Sequence, residues 1–239
     1  MGSGDVSSIR EELFRIRNTT VGYFAGEVRS EQTGLAVGSA SVHIFDASNK
    51  PYSQVNTDAV GRFQAPLEPG IYSYRITSEG RYPYPDAADD THPGTGFEVR
   101  AGQTHYAYIQ LPEPAYLSVE VRDQSGRLLP AKVTLVANFD KRFLGQDPKA
   151  FLFDLSLGET RRSTDLSWRG ATHERTQLFI EQKIYASEGL AFSEVRPSRC
   201  DDDACEPYTI YVSRGPEYDV HIENAVILRP GAMTPLNVT

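Results

Sequence analysis

The stretch at 57–76, TDAVGRFQAPLEPGIYSYRI, contains the clearest fold signal in the sequence. Asp58 and Gly61 are residue types that tight turns favour, and Pro69-Gly70 reverses the chain a second time. Around these turns apolar residues alternate with polar ones, as in strands that bury one face. The stretch therefore predicts two successive strands, each with one face buried in the core. The residues expected on its inward face are Phe63, Leu67, Tyr72, Tyr74 and Ile76.

The composition of the whole chain is that of a β-sheet protein. Of 239 residues 39% are hydrophobic, and 13 Tyr and 11 Phe stand against 2 Met, which favours pleated sheet over a helical bundle. Short alternating runs separated by Gly, Pro, Asn and Asp recur at the spacing of a β-sandwich. The candidate strands of the first half are Val21–Arg29, Ala40–Phe45, Tyr52–Asn56, Gly61–Ala65, Ile71–Thr77, Gly96–Arg100 and Thr104–Leu111.

One helix is predicted, at Ser8–Arg17. Ser8 and Glu11 have the spacing of a capping box. Apolar residues recur at helical spacing, and we expect this face to pack on the first sheet. These residues are Val6, Ile9, Leu13 and Ile16.

The strand pattern repeats after Pro112-Glu113-Pro114, a segment that cannot lie inside a central strand. The hairpin at 26–44 is echoed at 119–135, and the closing strands at 97–111 are echoed at 226–238. The repeat predicts an all-β fold of two tandem sandwiches of the immunoglobulin or transthyretin-like type.

The predicted domain organisation follows from this repeat. Met1–Gly4 is interpreted as a vector leader, with any export signal already removed. The N-terminal helix occupies 5–19, and the two sandwiches occupy 20–112 and 113–239. The second sandwich has an insertion at about 137–207, longer than an ordinary connection. It contains Trp168, Arg161-Arg162 and the candidate strands Gln177–Ala186 and Leu190–Val195.

The first sandwich resembles carboxypeptidase-regulatory-like domains, which are also described as transthyretin-like. The resemblance covers about 20–111 and is carried by Thr57-Asp58-x-x-Gly61-x-Phe63 and by Leu67-x-Pro69-Gly70-x-Tyr72-x-Tyr74-x-Ile76. It implies residues that build the fold and take no part in catalysis.

The second half is similar to the region that precedes the catalytic domain in bacterial exported metallohydrolases of the PHP type. KIYASEG at 183–189 and YVSRGPEY at 211–218, followed by Arg229-Pro230-Gly231, carry this similarity. That family's metal site begins with a His-x-His motif in a following barrel, and no such motif occurs before Thr239. The similarity therefore implies a supporting portion of a longer protein, whose partner is a downstream domain of the same polypeptide.

The two cysteines, Cys200 and Cys205, lie close enough in sequence to form a disulfide. A metal site would need further ligands, and the five His residues are scattered. We expect the disulfide, and with it an oxidising compartment, periplasmic or extracellular.

Charge and motifs argue against several functions. The net charge of −8 gives no basic field for nucleic acid, and no apolar run is long enough to span a membrane. Signatures of serine hydrolases, P-loop proteins, dinucleotide-binding folds and zinc proteases do not occur. We therefore predict no catalytic residue, no metal ligand and no cofactor. His43, His105 and His221 are interpreted as solvated strand residues.

Four tyrosines are candidates for ligand binding. Tyr106 and Tyr108 are predicted to point outward from one strand, and Tyr82 and Tyr84 lie in a long connection at 81–96. Such rings stack on a glycan or a peptide, or they cover a second sheet face or a domain junction. The connection is equally typical of a solvated acidic loop.

The segment SRGPEY at 213–218 is a rigid turn with two interpretations. As a docking surface it would present Arg214, Glu217 and Tyr218 to the downstream domain. As a structural brace it would pair Arg214 with Glu217. The preferred function is a non-catalytic structural and interaction module, and the alternative is a carbohydrate- or peptide-binding module.

Overall fold

The chain divides into two compact units, Met1–Pro112 and Glu113–Thr239. Both are β-sandwiches, which confirms the predicted all-β fold with two tandem sandwiches and a short N-terminal helix. The computed structural model describes residues 6–85, 94–137, 180–201, 204–215 and 218–239.

The described residues of the first unit form one helix and seven strands. In chain order these are α1 (Val6–Arg17), β1 (Gly22–Ser30), β2 (Ser41–Asp46), β3 (Pro51–Asn56), β4 (Arg62–Leu67), β5 (Gly70–Thr77), β6 (Thr95–Val99) and β7 (Thr104–Leu111). One sheet has the order β4-β1-β7 and the other β3-β2-β5-β6. Strand β1 is antiparallel to β4 and parallel to β7, so the first and last strands of the unit run side by side in one direction.

The core of the first unit is built around Phe24 of β1. Its ring centroid lies 4.1 Å from that of Phe97 and 5.0–5.1 Å from those of Tyr74 and Phe63. The inward face predicted from the alternation at 57–76 is confirmed, because all five residues predicted to point inward are buried. They are Phe63, Leu67, Tyr72, Tyr74 and Ile76.

Strand β4 is preceded by an aspartate-braced turn. Asp58 Oδ1 accepts hydrogen bonds from the amides of Val60 (2.9 Å) and Arg62 (2.8 Å), and Gly61 has a positive φ of 79°. The same pattern of an aspartate bound to amides two and four residues later occurs at Asp46 and Asp123. One short local device therefore closes turns in both units.

Helix α1 is oriented differently from the sequence prediction. It contacts β3 and β4, the edge strands of the two sheets, and it is buried through Ser7 and Phe14. The guanidinium carbon of Arg10 lies 3.9 Å from the ring centroid of Tyr52. The apolar residues expected on the buried face are exposed instead, Ile9 by 69% and Ile16 by 68%.

The physical reason is that the helix has two faces that could be buried, and the face that contains the Phe14 ring is the one that packs on the strands. Burying Phe14 removes more apolar area from water than any one aliphatic residue of the other face. Val6 and Leu13 belong to the exposed face as well. The helix spans Val6–Arg17, so Ser8 lies inside its first turn and is not the cap.

In the part of the second unit that the structure describes there are nine strands. These are β8 (Ala115–Val121), β9 (Ala131–Ala137), β10 (Ile180–Ala186), β11 (Leu190–Val195), β12 (Cys200–Asp201), β13 (Ala204–Cys205), β14 (Tyr208–Ser213), β15 (His221–Val226) and β16 (Met233–Val238). The sheets have the orders β11-β8-β16 and β10-β9-β14-β15, with β12 and β13 as a separate pair. Strand β8 is parallel to β16.

The two units have the same strand order. Strands β8, β9, β10 and β11 take the sheet positions of β1 to β4, and β14 to β16 take those of β5 to β7. The two strands expected at Gln177–Ala186 and Leu190–Val195 therefore belong to the main sheets. The extra chain of the second unit is divided into 138–179, outside the described residues, and 196–207, instead of one insertion at 137–207. Trp168 and Arg161-Arg162 lie in the first part.

A buried ion pair braces the second unit. The Arg196 guanidinium donates to the Glu181 carboxylate through Nε (2.9 Å) and through Nη2, and both residues are buried. The hydroxyl of Tyr208 donates to the carbonyl of Arg196 at 2.9 Å. The charged groups are thus paired inside the unit, as buried charges must be.

The predicted disulfide is confirmed. Cys200 and Cys205 are directly opposite each other in the β12–β13 pair and are joined by a bond of 2.01 Å. The bridge joins the two short strands that precede β14.

Two of the three histidines, His43 and His105, differ from the prediction of solvated strand residues. His43 is 7% exposed, and its Nε2 lies 2.9 Å from Thr77 Oγ1. His105 shares the inward face of β7 with Ala107, and its ring centroid lies 5.2 Å from that of Phe97. His221 is partly exposed, with Nε2 3.5 Å from Glu223 Oε2.

Candidate ligand cleft and docking turn

Strand β7 directs its two tyrosines outward. Tyr106 is 59% exposed and Tyr108 57%, while Ala107 and Ile109 between and beyond them enter the core. The alternation is complete along the strand, so the side chain of Gln110 lies on the same outer face as the tyrosines.

Three of the four candidate tyrosines line one cleft of about 430 Å³ in the first unit, a volume within the usual range for small ligands. Tyr82 and Tyr84 come from the connection after β5, and Tyr108 comes from β7. The other lining residues are Glu31, Pro83, Gln110 and Pro112. Tyr106 does not line the cleft.

The wall formed by residues 81–85 is fixed by hydrogen bonds. The amide of Ile76 donates to the carbonyl of Tyr84 (2.8 Å), and the amide of Tyr84 donates to the carbonyl of Ile76 (2.9 Å). The Arg81 guanidinium donates to the carbonyl of Pro112 at 2.7 Å. The ring of Tyr84 stacks on that of Tyr74 with centroids 6.3 Å apart. Burial, and then the neighbouring Tyr84, raise the pKa of Tyr74 and keep its phenol neutral.

The opposite wall is fixed by the sheet. Glu31 follows β1 directly, and its amide donates to the carbonyl of Leu111 at 2.9 Å. Because β1 and β7 are parallel neighbours, this bond places Glu31 at the same end of the sheet as Gln110 and Pro112. The cleft therefore combines flat apolar rings with one carboxylate and one amide, on a backbone that is already ordered.

The turn between β14 and β15 places two of the three candidate docking residues together. The guanidinium carbon of Arg214 lies 4.9 Å from the ring centroid of Tyr218. Both side chains are exposed, Tyr218 by 47%. Glu217 lies outside the described residues, as does the part of the 81–96 connection at 86–93.

Sequence reasoning named the three tyrosines that line the cleft and Pro83 beside them, but it did not name Glu31, Gln110 or Pro112. The alternation of β7 already places Gln110 beside Tyr108. The position of Glu31 depends on the parallel pairing of β1 and β7, which no local pattern shows. Within the described residues no group of three or more His, Cys, Asp or Glu side chains is arranged to hold a metal ion. The helix that the structure describes does not have the length and apolarity to cross a membrane.

Comparisons with known proteins give similarity at the level of solved structures. No family model and no curated protein matches the chain. The Bacillus anthracis TIE protein aligns with a TM-score of 0.36 and 16% identity over 92% of this chain, which spans 34% of that protein. The shaft pilin SpaA from Lactobacillus rhamnosus GG aligns with a TM-score of 0.39 and 11% identity, covering 92% of this chain and 98% of the pilin. A streptococcal ancillary pilin gives 0.36 and 10% identity, covering 93% of this chain and 63% of that pilin.

Proposed function

We propose that the chain is a non-catalytic structural and interaction module of an exported protein, which supports a domain that follows it in the same polypeptide. The parallel pairing of the first and last strands of each unit carries this proposal. Because these strands run in one direction, the chain enters a unit at one end and leaves it at the other. A unit with this topology spaces whatever precedes it from whatever follows it.

Two buried hydrogen-bonded groups, one in each unit, support a scaffolding role. The Thr57 hydroxyl accepts from the amide of Ala40 (2.9 Å) and donates to the carbonyl of Val37 (2.7 Å). The Glu181–Arg196 pair has the same role in the second unit. These groups are engaged in fixing strands and connections, and such satisfied networks stiffen a fold.

The disulfide supports the proposed compartment. Bridges of this kind form and persist where proteins are exported, and both cysteines of the chain take part in it. A periplasmic or extracellular location follows as part of the proposal.

The proposed partner surface is the turn that contains Arg214 and Tyr218. An exposed arginine stacked on an exposed tyrosine has the residue types that dominate binding energy at interfaces. The similarity of 211–218 to the segment before PHP-type metallohydrolase domains indicates that the partner is a domain of that type. Neither side chain is buried as a structural brace requires.

The experiment uses this chain and the domain encoded beyond Thr239, expressed separately. Arg214→Ala should change the free energy of unfolding of the chain by less than about 0.5 kcal/mol, because the side chain is exposed. It should weaken association with the following domain about tenfold in a calorimetric titration. Arg100→Ala, which removes another exposed arginine, serves as the control and should leave association unchanged.

Four results would contradict the proposal. One is unaltered association in the Arg214→Ala variant. Another is a loss of several kcal/mol in the stability of the chain, which would identify Arg214 as a brace. The third is a reading frame that ends at Thr239. Turnover of ester or phosphodiester substrates by the purified chain, persisting through chelation and repurification, would refute the non-catalytic assignment.

A further inference from the structure

The cleft on the first unit has the chemistry of a saccharide site. We propose that it binds a neutral pyranose saccharide, with Tyr82, Tyr84 and Tyr108 contacting the sugar ring and Glu31 and Gln110 bonding its hydroxyls. This inference is independent of the docking turn, which lies in the other unit.

The rings supply the apolar part of the site. A pyranose has an axial C–H face that packs on a flat aromatic surface, and a tyrosine ring offers such a surface with little conformational entropy to lose. Tyr84 is held by its stacking on Tyr74 and by the two hydrogen bonds with Ile76. Tyr108 stands on a sheet strand. The ring of Tyr84 and the backbone that carries Tyr108 are therefore positioned before any ligand arrives, which lowers the entropy cost of binding.

The polar residues select for hydroxyl groups. The Glu31 carboxylate only accepts hydrogen bonds, whereas the Gln110 amide both accepts and donates. A sugar hydroxyl can donate to the first and exchange bonds in both directions with the second. Both side chains are exposed at the rim of the cleft and can turn towards a ligand.

Charge argues against an anionic ligand. Among the described residues, the Arg81 guanidinium is bound to the carbonyl of Pro112, and that of Arg29, which is paired opposite Gln110, is bound to Glu27 and to the carbonyl of Gly34. The lining itself carries the negative charge of Glu31. A phosphate or a uronic acid would have to approach that carboxylate, so the site fits a neutral sugar.

A proline-rich peptide is the main competitor, since such segments also dock in aromatic grooves. Proline has no N–H group, so a run of prolines offers carbonyl acceptors and nothing to donate to Glu31. The pairing of an acceptor-only side chain with the rings therefore favours the saccharide.

The test titrates the full chain with neutral tetrasaccharides of glucose, xylose and N-acetylglucosamine, and with a proline decapeptide, by saturation-transfer NMR and calorimetry. We expect one saccharide series to bind, and Tyr108→Ala to weaken it about tenfold. Glu31→Gln, which keeps the shape but removes the charge, should weaken binding less. Tyr106→Ala is the matched control, because this ring is equally exposed on the same strand but does not line the cleft.

The outcomes separate the alternatives. No binding of any saccharide up to about 10 mM, the weak limit for a specific site, would overturn the proposal. So would equal weakening by Tyr106→Ala and Tyr108→Ala, because the cleft would then not be the site. Binding of the decapeptide alone, lost in Tyr108→Ala, would assign the cleft to peptides instead. Circular dichroism of each variant confirms that these surface changes leave the fold intact.

Discussion

Replacing Thr57 by valine tests whether its buried hydroxyl holds two segments of the first unit together. The hydroxyl accepts from the Ala40 amide at 2.9 Å and donates to the Val37 carbonyl at 2.7 Å, and the residue is 5% exposed. Valine has the same shape and neither hydrogen-bonding group. The amide and the carbonyl would remain buried without this partner.

The expected loss follows from these two bonds. A buried backbone group that loses its partner costs about 1–3 kcal/mol, so two such groups should lower the free energy of unfolding by about 3 kcal/mol. Thr57→Ser is the matched control. It keeps both hydrogen bonds and removes one methyl group, which costs about 1 kcal/mol.

The measurement combines urea unfolding followed by circular dichroism with amide hydrogen exchange. Thr57→Val should lose more stability than Thr57→Ser, and the Ala40 amide should lose its protection in the valine variant alone. The reasoning is refuted if the serine variant is the less stable of the two, since packing of the methyl group would then outweigh the hydrogen bonds.

Three further outcomes are expected. Glu181→Ala removes the carboxylate that neutralises the buried Arg196 and should lower the free energy of unfolding by about 3–5 kcal/mol. Apolar replacement of both Glu181 and Arg196 should recover most of this loss. Equal losses in the single and the double variant would contradict the prediction. Hydrogen bonding, first from the Ser125 hydroxyl, lowers the pKa of Asp123 in the folded state. The ionised carboxylate therefore stabilises the fold above the unfolded-state pKa of about 3.9, and this stabilisation is lost as the pH falls towards the lower folded-state pKa. An NMR titration of the Asp123 carboxyl carbon that gives the ordinary pKa would disprove this. Reduction of the Cys200 disulfide should lower stability by about 2 kcal/mol on the loop-entropy model, and alkylation without reductant should leave the intact mass unchanged.

Much of the fold could be predicted because strand signals here are local. The alternation at 57–76 fixes which residues enter the core, and turn residues such as Asp58 and Gly61 act within a few positions of themselves. The repeat extends the strand pattern to the second unit. A turn of the same sequence type as DAVGR at 58–62, DQSGR at 123–127, occurs there in a different connection, between β8 and β9. The strands of the first unit that such local patterns predict differ from the observed strands by at most two residues at their ends.

Features that depend on tertiary packing could not be predicted. The buried face of α1 was decided by Phe14 and by the contact of Arg10 with Tyr52, against a competing apolar stripe of similar spacing. His43 is buried although its strand position is of the polar parity, because both faces of β2 are covered. For the cleft, the tyrosines could be named from sequence, but Glu31 reaches it through a parallel pairing between strands far apart in the chain.

The parallel pairing of the terminal strands has a mechanical consequence. Tension applied to the two ends of the first unit would draw β1 and β7 in opposite directions along their own axes, and the same holds for β8 and β16 in the second unit. The hydrogen bonds of each pair then lie across the pull and share it, so that many must break together before the unit extends. In a hairpin pulled apart from its open end, the bonds would instead break one after another. Each sandwich is therefore built to resist stretching along the direction of the chain.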